Sequence, residues 1–179
     1  RQGLGGAGTQ TATLAYGGTT GVPASIKTET ESWNGSAWSN SPTPLLTPRN
    51  NMGAAGTSTS ALSFGGNSGT TSTQNADYQL YNGTTWITQP NMAIARSYIA
   101  GFGTSTSAIA AGGGPPNTAT TETWDGTNWT EVADMNTARA SLVGVAASST
   151  AALAFGGSLP PGTLGNTESW NGSAWTEVN

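Results

Sequence analysis

The apolar positions of this chain fall into short runs separated by Thr, Ser, Gly and Asn, and the same order of runs returns four times. Each unit opens on an arginine (Arg1, Arg49, Arg96, Arg139) and places an apolar residue three positions on (Leu4, Met52, Ile99, Leu142). Small residues stand five and seven positions on: Gly6 and Gly8, Ala54 and Gly56, Gly101 and Gly103, Gly144 and Ala146. Alternate residues of a strand share a face, so this spacing predicts a first strand with one face kept small. Such a strand suits the crowded axis of a radial array. A polar stretch follows, clearest at Thr57-Ser58-Thr59-Ser60 and Thr104-Ser105-Thr106-Ser107, and reads as a turn.

A second strand is predicted at Leu14-Ala15-Tyr16, Leu62-Ser63-Phe64, Ile109-Ala110-Ala111 and Leu153-Ala154-Phe155, each running into Gly-Gly. Paired glycines at a strand end permit positive φ and close backbone approach. The third strand carries Glu31-Ser32-Trp33, Gln79-Leu80-Tyr81, Glu122-Thr123-Trp124 or Glu168-Ser169-Trp170. After it, Asn34-Gly35, Asn82-Gly83, Asp125-Gly126 and Asn171-Gly172 predict hairpins with both central residues at positive φ. The fourth strand opens at Trp38, Trp86, Trp129 or Trp175. All seven tryptophans lie in the two aromatic columns. Burying one contributes up to about 5 kcal/mol, and packing between repeats is their expected work. Gly- and Thr-rich segments of this kind disfavour helix.

The fourth-strand tryptophans recur at steps of 48, 43 and 46 residues, within the ~40–50 range of propeller-blade repeats. The expected fold is all-β: one repeat domain over 1–179, with blades of four antiparallel strands at approximately 1–48, 49–95, 96–138 and 139–179. The chain opens on a repeat's first landmark and its last strand runs to Glu177-Val178-Asn179, leaving no strand to latch a ring. The four blades are therefore expected to be part of a larger ring, completed by further repeats of the same polypeptide or by a second chain as a homo-oligomer.

Charged residues make up 8% of the chain and the net charge is −4. Four of the five basic residues are the repeat arginines, which leaves only Lys27 toward the clustered Lys and Arg of a nucleic-acid footprint; no nucleic-acid binding is expected. No apolar run approaches the ~20 residues that span a bilayer, so no membrane insertion is expected. Without Cys or His, the chain lacks disulfides, thiol nucleophiles, histidine bases and Cys/His zinc sites. No cofactor, metal site or catalytic residue is assigned, and the chain is expected not to be an enzyme.

The apolar run into Gly-Gly, the aromatic pair and the arginine opening each unit resemble kelch repeats across the whole chain. Two departures stand out. The usual Tyr-Asp pair reads Trp33-Asn34, Tyr81-Asn82, Trp124-Asp125 and Trp170-Asn171, and the gap to the second aromatic is five residues throughout. This Trp-Asn-Gly-rich variant also resembles kelch-like repeats of phage virion and tail proteins and of secreted bacterial proteins. The resemblance implies a β-propeller. The copper-radical oxidases that share the kelch propeller use His, Cys and Tyr ligands, and that chemistry is closed to a chain without His or Cys.

Variable loops on a repeated scaffold are where recognition usually sits. The loops between second and third strands run from Thr19 to Lys27, Asn67 to Ala76, Gly114 to Thr120 and Ser158 to Asn166. They offer Thr19, Thr20, Lys27, Asn67, Asn75, Asn117, Thr118 and Asn166 as candidate binding residues for a protein or glycan surface. Arg1, Arg49, Arg96 and Arg139, with Trp38, Trp86, Trp129 and Trp175, read as structural landmarks. The arginines are expected to hold carbonyls or Glu31, Glu122 and Glu168 between blades rather than to cluster around a carboxylate ligand. Asp77, Glu131, Asp134 and Glu177 are scattered and do not suggest the carboxylate pair of a glycosidase. Turn chemistry accounts for the sequons at Asn34, Asn82 and Asn171 without glycosylation; a fourth sequon falls at Asn128. The functional expectation is a non-enzymatic extracellular or virion-surface module for adhesion, receptor binding or assembly. The alternatives are a carbohydrate-binding propeller or a non-catalytic part of a polysaccharide-active enzyme.

Overall fold

The structure is a computed structural model, described for residues 1–21, 25–69 and 73–178. Residues 22–24 and 70–72 of two second-to-third-strand loops, and Asn179 at the end of the expected last strand, lie outside the described residues.

Blade one contains β1 (Gly5–Thr9), β2 (Ala12–Tyr16), the short ribbon β3 (Thr19–Thr20) and β4 (Ser25–Ile26), then β5 (Thr30–Trp33) and β6 (Trp38–Asn40). Blade two contains β7 (Gly53–Thr57), β8 (Ser60–Phe64), the ribbon β9 (Asn67–Ser68) and β10 (Thr73–Gln74), β11 (Tyr78–Tyr81) and β12 (Trp86–Gln89). Blade three is β13 (Ala100–Thr104), β14 (Ser107–Ala111), β15 (Thr121–Trp124) and β16 (Trp129–Val132), with no ribbon among the described residues. Blade four is β17 (Val143–Ser148), β18 (Ala151–Phe155), the ribbon β19 (Ser158–Leu159) and β20 (Gly162–Thr163), β21 (Thr167–Trp170) and β22 (Trp175–Val178). The four main strands of each blade lie side by side in chain order and pair antiparallel. The first strands β1, β7, β13 and β17 pack on one another in succession, which makes the protein a four-bladed β-propeller.

Each blade presents two faces. On the forward face the ends of the first two strands pair Tyr16 with Gly5, Phe64 with Gly53, Ala111 with Ala100 and Phe155 with Val143. On the opposite face sits the small residue five positions after each arginine, which in blades three and four touches the preceding blade. A Cβ on Gly101 would stand 2.6 Å from Cζ of Phe64, and one on Gly144 would overlap the Phe102 ring. Each junction between successive blades encloses its own apolar cluster, built around Tyr16 and Trp86, Phe64 and Trp124, and Phe102 and Trp175.

The fourth-strand tryptophans seal these junctions backwards. Trp86 meets Tyr16 edge-on at 4.8 Å and donates to Thr30 Oγ1 at 3.1 Å. Trp129 lies 4.8 Å from Phe64, and Trp175 donates to Thr121 Oγ1 at 3.0 Å. Trp38 departs from the expected inter-blade packing: among the described residues no blade packs against its side of blade one, and the residue is 51% exposed.

Two local expectations are corrected. The Asn-Gly hairpins are four-residue loops closed by the pairs Trp33–Trp38, Tyr81–Trp86, Trp124–Trp129 and Trp170–Trp175, not two-residue turns. Only the glycine takes positive φ, as at Gly35 (95°). The preceding Asn or Asp keeps an ordinary backbone and uses its side chain: Asn34 Oδ1 accepts from the N–H groups of Ser36 and Ala37 at 3.0 and 2.9 Å, an Asx-turn. The second correction concerns the seventh position after the arginine. Gly8, Gly56 and Gly103 adopt φ of 132°, 102° and 113°, which a Cβ opposes. Ala146 cannot follow them cheaply, and blade four inserts a residue there as a bulge between Ala146 and Ser148.

Candidate functional site

The end of the propeller that carries the second-to-third-strand loops is built on the arginines. Arg96 Nη1 donates to the carbonyls of Gly112 and Thr120 at 2.7 and 2.6 Å, and its Nη2 donates to Glu122 Oε1 at 2.9 Å. Arg139 repeats this with Gly156 O (3.2 Å), Asn166 O (2.9 Å) and the Glu168 carboxylate. Arg1 does so with Gly17 O (3.1 Å), Glu29 O (2.8 Å) and the Glu31 carboxylate. In blade two Gln79 replaces the glutamate, and Arg49 binds Gly65 O at 3.2 Å and Asp77 O at 2.9 Å, with the Asp77 carboxylate 3.6 Å away.

Every arginine thus braces its own blade, a correction to the expected pairing between blades. The carboxylates or amides supply the link between blades instead, through their second valence. Glu122 Oε2 accepts from Ala93 N at 2.8 Å, Glu168 Oε2 from Asn136 N at 2.7 Å, and Gln79 Oε1 from Leu46 N at 2.9 Å. Burial lowers the Arg49 pKa to about 10, against the opposing charge of Asp77. It lowers that of Arg96 too, against the charge and hydrogen bond of Glu122. With Arg49, Arg96 and Arg139 at 0–2% exposure, these guanidiniums are committed to the scaffold.

Above the braces each loop closes in one way. The N–H groups of Lys27, Asn75, Thr118 and Leu164 donate to the carbonyls of Gly18, Gly66, Gly113 and Gly157 at 2.8–2.9 Å. Lys27, Asn75 and Thr118 are therefore one position in three blades, whereas Asn166 is the position whose carbonyl receives the arginine. Thr19 and Asn67 are buried at the axis: Thr19 Oγ1 accepts from Asn50 Nδ2 at 2.5 Å, and Asn67 pairs with Asn50 through both backbone groups. Asn117 Nδ2 donates to Ser158 O at 2.6 Å, tying the loops of blades three and four together, and Asn166 Nδ2 donates to Glu177 Oε1 at 3.0 Å. Thr20 and Lys27 are half-buried. The candidates thus lie in four separate loops and do not converge on one pocket. Thr19 and Thr20 line an open polar recess of about 470 Å³ with Arg1, Gln2 and Gly21, and Thr118 lines a separate, smaller one of about 240 Å³ with Gln74, Ile94 and Pro115.

The carboxylates are likewise dispersed. Asp77 pairs with Arg49, Asp134 accepts from Thr121 N at 3.4 Å, and Glu177 accepts from Asn166, each inside its own blade. Among the described residues no group of three acidic side chains is placed to hold a metal ion.

One feature at the axis escaped the sequence reading. The residue two positions after each arginine is left-handed: Gly3 (φ 62°), Asn51 (52°), Tyr98 (55°) and Ser141 (55°). Asn51, Tyr98 and Ser141 each donate a backbone hydrogen bond to the blade before, from Asn51 N to Gly3 O (2.7 Å), Tyr98 N to Asn51 O (2.8 Å) and Ser141 N to Tyr98 O (2.9 Å). Gly and Asn are natural occupants of that conformation, but Tyr98 and Ser141 give no such signal.

No protein-family model matches this chain, and no curated protein matches it at a significant level. The class that the fold defines is the β-propeller, with four blades of antiparallel strands.

Proposed function

We propose that this propeller is a non-enzymatic binding module, exposed outside the cell or on a virion surface, that presents its loop end to a partner in adhesion, receptor binding or assembly. One observation carries this reading. An arginine that reaches two backbone carbonyls of its own blade, and one shared loop-closing hydrogen bond, hold the loop base of every blade, while the residues above differ in type and length from blade to blade. A constant base under variable hydroxyl and amide groups is the arrangement expected of a recognition surface on a rigid scaffold. The hydroxyls, amide and guanidinium around the recess at Thr19, Thr20 and Gln2 favour a glycan as the second reading.

The experiment is binding of the labelled chain to intact cell surfaces and to a glycan array, with Thr20→Ala and Asn117→Ala variants checked for unchanged melting. Binding that the variants weaken supports a loop-end recognition surface. Binding indifferent to both variants, or none to either target, contradicts it. Capture on the glycan array selects the carbohydrate reading.

A further inference from the structure

The three junctions inside the chain are copies of one interface, and the two halves of a fourth copy stand exposed at its ends. The forward face of blade four carries Val143 paired with Phe155 and Val145 paired with Leu153. These are 58%, 37%, 55% and 40% exposed, whereas the corresponding Phe64 of blade two and Ile109 of blade three are fully buried by the blade that follows. The backward face of blade one carries Leu4 and Trp38, 41% and 51% exposed; their counterparts Leu142 and Trp86 are 6% and 2% exposed. Trp38, Leu4, Gly6 and Ala15 line a recess of about 440 Å³ at that face, with the Arg1–Glu31 ion pair also in its wall. Elsewhere in the chain, the equivalent surface receives an aromatic ring of the preceding blade.

The backbone ladder at the axis is open in the same sense. Among the described residues, the N–H of Gly3 lacks the backbone acceptor that Asn51, Tyr98 and Ser141 each find, and the carbonyl of Ser141 lacks the backbone donor that Gly3, Asn51 and Tyr98 each find. The unmatched donor lies at the blade with the free backward face. The unmatched acceptor lies at the blade with the free forward face.

Gly6 fits the pattern. A Cβ there meets nothing closer than Leu14 O at 3.6 Å, whereas at Gly101 and Gly144 it runs into Phe64 and Phe102 of the preceding blade. The small residue needed to admit a neighbouring ring is present at Gly6, although no ring among the described residues reaches it.

We propose that two copies of this chain join head to tail, the forward face of blade four in each seated on the backward face of blade one in the other, to form a closed eight-bladed ring. Apolar surface of this extent on a charge-poor molecule is otherwise a liability, and the occupant it fits is the one its own junctions already display. Such an interface is heterologous and closes by rotation. Two copies reach eight blades, the upper end of the usual range of about four to eight, while three would reach twelve. The proposal is independent of the partner bound at the loop end.

Sedimentation equilibrium of the 179-residue chain tests it, at concentrations up to about 100 µM, ample for a micromolar junction. The expected species has twice the 17.9 kDa chain mass. Gly6→Leu blocks the backward face and Val145→Arg the forward face, both at positions open in the single chain. Each variant alone is expected to be a folded monomer by circular dichroism and sedimentation. A one-to-one mixture regains a dimer, through the single junction that pairs the intact forward face of the first with the intact backward face of the second. A parent chain that stays monomeric, or grows into open polymers, overturns the proposal, and this measurement needs no variant to fold. A dimer lost in only one of the two variants also overturns it, because a face-to-face dimer uses one surface twice.

Discussion

The backbone N–H of Tyr98 donates to the carbonyl of Asn51 at 2.8 Å across the junction between the second and third blades, and both residues are left-handed. A non-glycine residue in that region costs about 1–2 kcal/mol, so the bond and the blade contact beside it hold Tyr98 in place. Tyr98→Gly removes the steric cost and is expected to leave stability unchanged or raise it by up to about 1 kcal/mol. Tyr98→Val, β-branched and ill suited to positive φ, is expected to lose about 1–2 kcal/mol. Urea denaturation checks both. Loss of stability in the glycine variant would show that the Tyr98 side chain matters more than its backbone.

Arg96 and Glu122 form a buried pair that also fastens the segment entering blade three through Ala93. Removing one member leaves the other charge unpaired, so Arg96→Met is expected to cost about 3–5 kcal/mol in urea denaturation. Glu122→Gln reproduces the group that blade two carries at Gln79 and keeps an acceptor for Ala93 N. It should cost less, about 1–3 kcal/mol. Equal losses in the two variants would contradict the separate roles given to the carboxylate oxygens.

Gly144 faces the ring of Phe102. Gly144→Ala drives a methyl into that ring and is expected to destabilise by about 1–3 kcal/mol, with Gly144→Ala/Phe102→Leu recovering part of the loss. A melting temperature unchanged in the single variant would mean that blades three and four are not packed as described.

Asp125 is the only acidic residue at the hairpin position that Asn34, Asn82 and Asn171 hold in the other blades. The N–H groups of Asn128 and Thr127 bond its carboxylate and hold its pKa below the ordinary 3.8. A depressed pKa adds stability above the unfolded value and loses it as pH falls through the folded one. Blade three's hairpin should therefore loosen in acid. Asp125→Asn, which keeps the acceptor at every pH, should show a smaller fall in melting temperature between pH 7 and about pH 2 than the parent chain. An identical fall in both would contradict this reading of the turn.

The strand plan was legible because each strand carries its own sign: Leu62-Ser63-Phe64 before Gly65-Gly66, or Glu122-Thr123-Trp124 before Asp125-Gly126. Local chemistry hid other features. The Asn34 side chain, rather than its backbone, makes the turn, and a residue type alone does not distinguish the two. Arg49, Arg96 and Arg139 could be recognised as scaffold, but reach into the same blade or the next one is a tertiary property. Thr, Asn and Lys in a variable loop suggest surface groups, but Thr19 and Asn67 are buried and Asn117 bridges two loops. The left-handed positions at Tyr98 and Ser141 are imposed by the junction and leave no mark on residue type.

The repeated junction, with its axial backbone ladder, is the centre of this account. Scalar couplings across hydrogen bonds, measured by NMR on isotope-labelled protein, test it most directly. Couplings are expected from the amide of Asn51 to the carbonyl of Gly3, from Tyr98 to Asn51 and from Ser141 to Tyr98. Their absence, with those amides exchanging as freely as the hairpin loops, would contradict the packing of the blades around a common axis.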